Sequence, residues 1–292
     1  MIKIVKESLG WASGLFSGIL TLFPERMFTH WHWISREMLS DKISWNWVNI
    51  DDLNIIITRI CLFIIVVIIC QLVFCICSHF KKIMIKGRGY SIVIEYGDIF
   101  KFKNCQRVIS FDECYTICVG TNTADIKRDT ICGQYLINNP NLDMDSLIQR
   151  SNIIQCRRRS KHNNKICYQP GSIVPNGDDL LMAFTKLDSN GKSLKFTIED
   201  YLKCLEKLWK ELDNNYCQKD VCIPVLGSGI TRFENGINQS VSKEELIELI
   251  ISSYKLSKYK LKDLSTLHIV CKRSSDFSLD RICKSYTSYG IN

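Results

Sequence analysis

The sequence predicts an α/β domain of layered strands and helices, preceded by two membrane helices. Three observations carry this expectation. From about Lys82 onward, short runs rich in β-branched residues alternate with amphipathic segments. Ahead of them, Ile55 to Cys77 is almost uninterrupted in its apolar character. One buried-strand pattern, Val221 to Leu226, ends in the turn Gly227-Ser228-Gly229. Open α/β sheets bind ligands at such strand ends.

The chain divides into a membrane module, residues 1–80, and a domain over residues 81–292. In the module, Ile55 to Cys77 is broken only by Thr58, Arg59 and Gln71. These 23 residues, as a helix, reach about 34 Å, enough for a bilayer core. Leu9 to Phe23 is shorter and leaves three readings open: a second span, an interfacial helix, or the apolar region of a signal peptide. No small-residue cleavage site follows it; the chain continues Pro24-Glu25-Arg26. Its Gly10, Gly14 and Gly18 recur every four residues, a strip that lets helices approach closely in lipid. Trp31, Trp33, Trp45 and Trp47 lie between the segments and suit the headgroup zone. Lys81, Lys82, Lys86 and Arg88 follow the second segment. Positive residues stay on the cytoplasmic side, so the expected topology is a hairpin with a cytoplasmic C-terminal domain.

In the domain, strands are expected at Ser91–Glu95, Arg107–Ser110, Leu180–Leu187, Val221–Leu226 and Leu267–Cys271. Thr197 caps a helix whose face is Ile198, Tyr201, Leu202, Leu205, Leu208, Trp209 and Leu212. Ser242 and Glu245 form a capping box, and Asp143 caps a helix running toward Cys156. The roughly 210 residues suffice for one core.

Composition bounds the chemistry. The net charge of +8 over 292 residues fits anionic ligands or a membrane surface. Fifteen cysteines without a C-x-x-C pair, several of them in apolar runs, read as small hydrophobes in a reducing compartment. His30 and His32 have no ligand cluster beside them, so no metal is expected. The basic run Arg157-Arg158-Arg159-Ser160-Lys161-His162 lacks interleaved aromatics, which favours a solvated loop near anionic lipid over nucleic acid.

Gly97-Asp98-Ile99, the strand Arg107 to Asp112, and Pro224 to Arg232 resemble, in that order, the landmarks of macro domains. Thr130 to Tyr135, Gly171 to Val174, Leu181 to Asp188 and Leu226 to Arg232 resemble more closely the macro-type effectors of Thoeris anti-phage systems. The resemblance implies a macro-like α/β/α sandwich preceded by two transmembrane helices. It also implies that no cofactor is held and that an ADP-ribose-type nucleotide messenger is bound, histidine–ADP-ribose being one such conjugate. Asp98 and Ile99 would serve the adenine end. Leu226, Gly227, Ser228, Gly229, Ile230, Thr231 and Arg232 would serve the diphosphate, with Asp112, Cys132, Gly133, Gln134, Gly171 and Ser172 completing the site. The implied partners are a TIR-domain enzyme acting through the messenger, further copies of the chain, and the bilayer of the bacterial inner membrane. Phe111-Asp112-Glu113-Cys114 and Gly120-Thr121-Asn122-Thr123 depart from the asparagine pair of macro hydrolases, so no catalytic residue is expected. A membrane-tethered ADP-ribosyl hydrolase and a non-catalytic membrane scaffold are the alternative readings.

Overall fold

The computed structural model describes residues 2–22, 50–79, 82–229, 233, 241–262, 265–274 and 277–288. The chain forms two compact units, Met1–Lys81 and Lys82–Asn292.

In the first unit, α1 (Ile2–Leu22) and α2 (Ile50–His79) pack on each other. Within α2, Asp52–Ile76 is long and apolar enough to cross a membrane, with a mean hydropathy of 2.9. Nine of its aliphatic side chains, among them Ile56, Ile60, Ile64 and Ile68, are about half exposed. Such a surface suits hydrocarbon rather than water. It is the one such helix among the described residues, so they support one span and not the expected two. The reason is compositional: α1 begins with Lys3, Lys6 and Glu7, and six of its next fifteen residues are glycine or serine. In α1, Ser8 and Ala12 are buried, and Phe16 meets Phe63 of α2 edge-on at 5.0 Å. The Gly10/Gly14/Gly18 strip is not part of that contact. A Cβ at any of the three would meet nothing within 4 Å.

The second unit is a seven-stranded mixed sheet between helical layers. Its strands are β1 (Lys82–Gly87), β2 (Tyr90–Tyr96), β3 (Cys105–Asp112), β4 (Ile173–Asn176), β5 (Asp179–Thr185), β6 (Asp220–Pro224) and β7 (Thr266–Cys271). They lie in the order β1-β2-β7-β6-β3-β5-β4. The five central strands are parallel, and β1 and β4 pair antiparallel to β2 and β5. The central strands read as near-continuous apolar runs because both their faces are covered.

The helices are α3 (Ile131–Asn138), α4 (Met144–Ser151), α5 (Ile198–Asn215), α6 (Lys243–Leu256) and α7 (Leu279–Ser288). Thr197 accepts from Asp200 N at 3.0 Å to start α5. The Ser242–Glu245 capping box that starts α6 is complete in both directions. Tyr201, Leu205, Leu208, Trp209 and Leu212 are buried as their helical spacing requires, whereas Leu202 is 38% exposed. Asp143 caps α4, but the helix stops at Ser151, short of Cys156, where Asn152 turns left-handed at φ 50°. Helices α5, α6 and α7 cover one face of the sheet through Ile94, Val108, Met182, Ile223 and Ile269. Helices α3 and α4 cover part of the other through Ile109, Phe111, Leu181 and Ala183.

Candidate functional site

Parallel pairing brings the carboxyl ends of β2, β7, β6, β3 and β5 to one edge of the sheet. The chain leaves β3 toward β5 on one side and leaves β6 toward β7 on the other. The crevice between β3 and β6 is therefore the topological switch point, where open α/β sheets bind ligands. The ladder here is short. Cys105 to Arg107 pairs with Asp220 to Cys222 and then stops. Beyond that, β3 follows β5 as far as Asp112, and β6 follows β7 as far as Pro224. Pro224 has no N–H to extend a ladder, so the strands part at their carboxyl ends.

The turn after β2 lies on the β6 side of the crevice, and the segment that follows it reaches back across β7 to the foot of β6 and β3. Gly97 N donates to Cys271 O of β7 at 3.1 Å. A Cβ on Gly97 would stand 2.9 Å from the Phe102 ring, so the turn is closely packed. Asp98 is exposed and caps the short 3-10 segment Ile99–Lys101, accepting from Phe100 N at 3.1 Å. Ile99 points inward, packed with Cys105, Cys222 and Val270, and so anchors the turn.

The wall of the crevice itself on that side is the turn after β6. Leu226 is buried, and its carbonyl accepts from the Tyr201 hydroxyl at 2.9 Å. Gly227 is left-handed at φ +83°, and a Cβ there would meet the Phe233 ring at 2.9 Å. Ser228 folds its hydroxyl back onto Val225 O at 2.7 Å. Gly229 is exposed, with nothing within 4 Å of a Cβ. Among the described residues, the N–H groups of Gly227 and Gly229 make no backbone hydrogen bond. The Ser228 N–H between them donates to Val225 O at 3.2 Å, so the turn offers two separated N–H groups to an anion. Ile230, Thr231 and Arg232 lie outside the described residues. An aromatic cluster braces the turn from below: Phe184 stacks on Phe196 at 5.0 Å, and Tyr201 meets Phe233 edge-on at 5.3 Å.

The residues after β3 close on themselves. The Asp112 carboxylate accepts from Cys114 N at 2.8 Å and Thr116 N at 3.3 Å, so it shapes its own turn. Burial raises its pKa above the ordinary aspartate range, against the pull of those hydrogen bonds. Glu113 is wholly buried. It pairs with Arg158 and accepts from Ser160 Oγ at 2.8 Å and Leu187 N at 3.2 Å. The basic run thus contributes Arg158 to a structural staple between loops.

The start of α3 lies beside this turn. Burial, and then the nearby Asp112 carboxylate, push the Cys132 thiol well above its usual pKa. Gly133 is buried, and a Cβ there would fall 2.1 Å from Lys127 O, so its role is close backbone packing. Gln134 is exposed and reaches Asp129 O at 3.4 Å.

Gly171 and Ser172 are not brought to the crevice. They precede β4, which β5 and β3 separate from it by two strand spacings of about 4.8 Å each. Gly171, at φ +94°, would press a Cβ to 2.5 Å from Cys204 O, so it permits contact with α5. Tyr115 OH donates to Ser172 O at 3.0 Å, which holds the edge of the sheet.

Three parts of the site were not read from the sequence: the splayed ladder, the Glu113 staple and the aromatic brace. Pro224 at the end of a strand pattern was the available clue to the first. At the foot of the crevice, Cys105 and Cys222 bring their sulfurs to 3.0 Å, and each is buried. A separate groove of about 470 Å³ lies at the opposite edge, lined by Leu147, Arg150, Asn176, Glu211 and Asn215 among others. It is remote from the parallel strands' carboxyl ends, so the crevice is the better candidate despite that groove's size. Among the described residues, no three His, Cys, Asp or Glu side chains converge as a metal site.

Residues 92–272 match the family described as Thoeris protein ThsA, Macro domain. The Thoeris protein ThsA of Bacillus amyloliquefaciens (strain Y2) is 27% identical over 199 residues, which cover 65% of this chain and 65% of that protein. The chain therefore spans just under two thirds of that relative's length. Among solved structures, the macrodomain of Oceanobacillus iheyensis with ADP aligns at a TM-score of 0.41 with 11% identity, over 73% of this chain and 100% of that one. The macrodomain of Thermus aquaticus DarG aligns at 0.36 with 12% identity, over 62% and 97%. The family match takes in more than half of the chain, from β2 to β7 and both glycine turns, and on that ground the chain belongs to the Thoeris ThsA macro-domain family.

Proposed function

We propose that this protein is a membrane effector of bacterial anti-phage defence that receives an ADP-ribose-derived nucleotide signal. The observation that carries the reading is the crevice between β3 and β6. The Gly227-Ser228-Gly229 turn forms its wall, and the Gly97-Asp98 turn is brought toward it by Ile99, packed on Cys222 and Cys105, in a chain of the ThsA macro-domain family. Asp98 has carboxylate capacity left for an adenine amino group. The free N–H groups of the glycine turn, with Arg232, would take the diphosphate.

The protein acts as a receiver and not as a hydrolase. Asp112 is folded onto its own turn and Glu113 is consumed by Arg158, so neither acid after β3 is free to act as a general base. The signal comes from a TIR-domain enzyme. Binding favours an assembled state of several copies, which disrupts the inner membrane and aborts infection. The uncovered Gly10/Gly14/Gly18 strip supplies a surface for that assembly. The C-terminal unit is cytoplasmic, next to the basic residues that follow α2.

The test is mass spectrometry of small molecules released from the full-length protein after co-expression with a TIR-domain enzyme. An ADP-ribose conjugate is expected, and Arg232→Ala should lower its recovery through a loss of about 1–3 kcal/mol in affinity. Release of no nucleotide from folded protein would overturn the reading.

A further inference from the structure

The first strand of the sensor unit begins beside the ligand turn. Because β1 runs antiparallel to β2, its first residue, Lys82, pairs with Glu95 at the carboxyl end of β2. Glu95 is two positions before Gly97-Asp98. On the other side of Lys82, only Phe80 and Lys81 intervene between it and the end of α2 at His79.

The same place carries a cluster of polar side chains around one buried carboxylate. Lys82 Nζ lies 2.5 Å from Glu95 Oε2, and Glu95 Oε1 lies 2.7 Å from His268 Nδ1 on β7. The Glu95 side chain is 5% exposed, so one buried carboxylate joins the first residue of the unit to the strand beside β2. On its other side, His268 Nε2 faces Asp220 at 3.6 Å. Strand β7 also holds the ligand turn, since Gly97 N donates to Cys271 O. The turn has little room to absorb a displacement, because the Phe102 ring closes on Gly97 and Ile99 is locked in the core.

We infer that β1 is the output element of the ligand site. Occupancy of the Gly97-Asp98 turn shifts β2, and the Lys82–Glu95–His268 node passes that shift to β1 and so into the chain leading to α2. The inference rests on the ADP-ribose reading of the crevice. It adds the route by which binding biases the membrane unit, as a coupling between two elements. No other turn at the carboxyl edge is followed or preceded so closely by the connection to α2.

Hydrogen–deuterium exchange on the full chain in lipid nanodiscs, with and without ADP-ribose, tests it. In the wild type, ADP-ribose should slow exchange at least fivefold both at residues 97–101 and along β1. In Lys82→Met, whose changed side chain is mostly exposed, protection at 97–101 should persist while that along β1 is lost. Glu95→Gln, which keeps the shape of the node, should behave likewise if it folds. Protection at 97–101 without any change along β1 in the wild type would overturn the inference and leave the binding site standing. No protection anywhere in folded wild-type protein would overturn the reading of the crevice, and this inference with it.

Discussion

The two faces of the sheet are built for different ends. The face under α5, α6 and α7 is one continuous apolar cluster, from Ile83 on β1 to Phe184 on β5. The opposite face is divided. Helices α3 and α4 cover β3, β5 and β4, while among the described residues β2, β7 and β6 carry a small cluster of Ile99, Phe100, Phe102 and Ile131 and the polar row Lys82–Glu95–His268–Asp220. Burial is roughly proportional to stabilisation, so the first face holds the fold and the second is free to carry polar groups and an open crevice. The sharpest way to break this contrast is Trp209→Ala. Trp209 is 1% exposed, meets Tyr254 edge-on at 5.0 Å and donates to Ser253 Oγ at 3.1 Å. Truncation should lower stability by about 3–5 kcal/mol in denaturant unfolding. A loss below about 1 kcal/mol would mean that the first face is not the stabilising one.

The same contrast separates what the amino-acid sequence made legible from what it hid. Helices α5 and α6 announced themselves through a cap and a 3.6-residue period, because each lays one stripe on a large core. The five parallel strands were legible as apolar runs, since both their faces are buried. Strand β1 was hidden: its pattern alternates Lys82, Ile83, Met84, Ile85, Lys86, and the basic residues read as a membrane flank. Strand β4 is four residues long and contains Pro175, and α3 was seen only as a motif around Cys132-Gly133-Gln134. Of the site, the turns after β2 and β6 were visible because glycine marks them. The partners that hold those turns were not, because Tyr201 reaches Leu226 across 25 positions and Glu113 reaches Leu187 across 74. Gly171 and Ser172 show the reverse error of scale: a glycine turn of the same kind serves sheet–helix packing two strands away.

The glycine turn after β6 offers a finer comparison. Gly227 is left-handed with an aromatic ring against it, whereas Gly229 stands in open space. Gly227→Ala should lower stability by about 1–2 kcal/mol and weaken ADP-ribose binding, because the turn can keep its shape only by displacing Phe233. Gly229→Ala should change stability by less than about 0.5 kcal/mol. Thermal unfolding of the pair, with binding calorimetry, measures both. Equal losses would show that the turn is not fixed by Gly227.

The smallest effect concerns Asp112, where the divided face meets the crevice. Its folded pKa is raised, so the folded state holds the proton more tightly than the unfolded chain does. The contribution to stability is then fully present below the ordinary aspartate range, about pH 4, and is lost as pH rises through the folded pKa. Burial is the leading cause, opposed by the hydrogen bonds from Thr116 and Cys114 and weakly by Lys165. Asp112→Asn keeps an acceptor for Cys114 N and Thr116 N but cannot ionise. It should match the wild type near pH 4 and be at least as stable at pH 7, which thermal unfolding across that range would read. A wild type that gains on the variant as pH rises would mean that the turn draws on the carboxylate's charge. Asp112 would then have an electrostatic role beside the crevice that its buried, self-closed turn does not suggest.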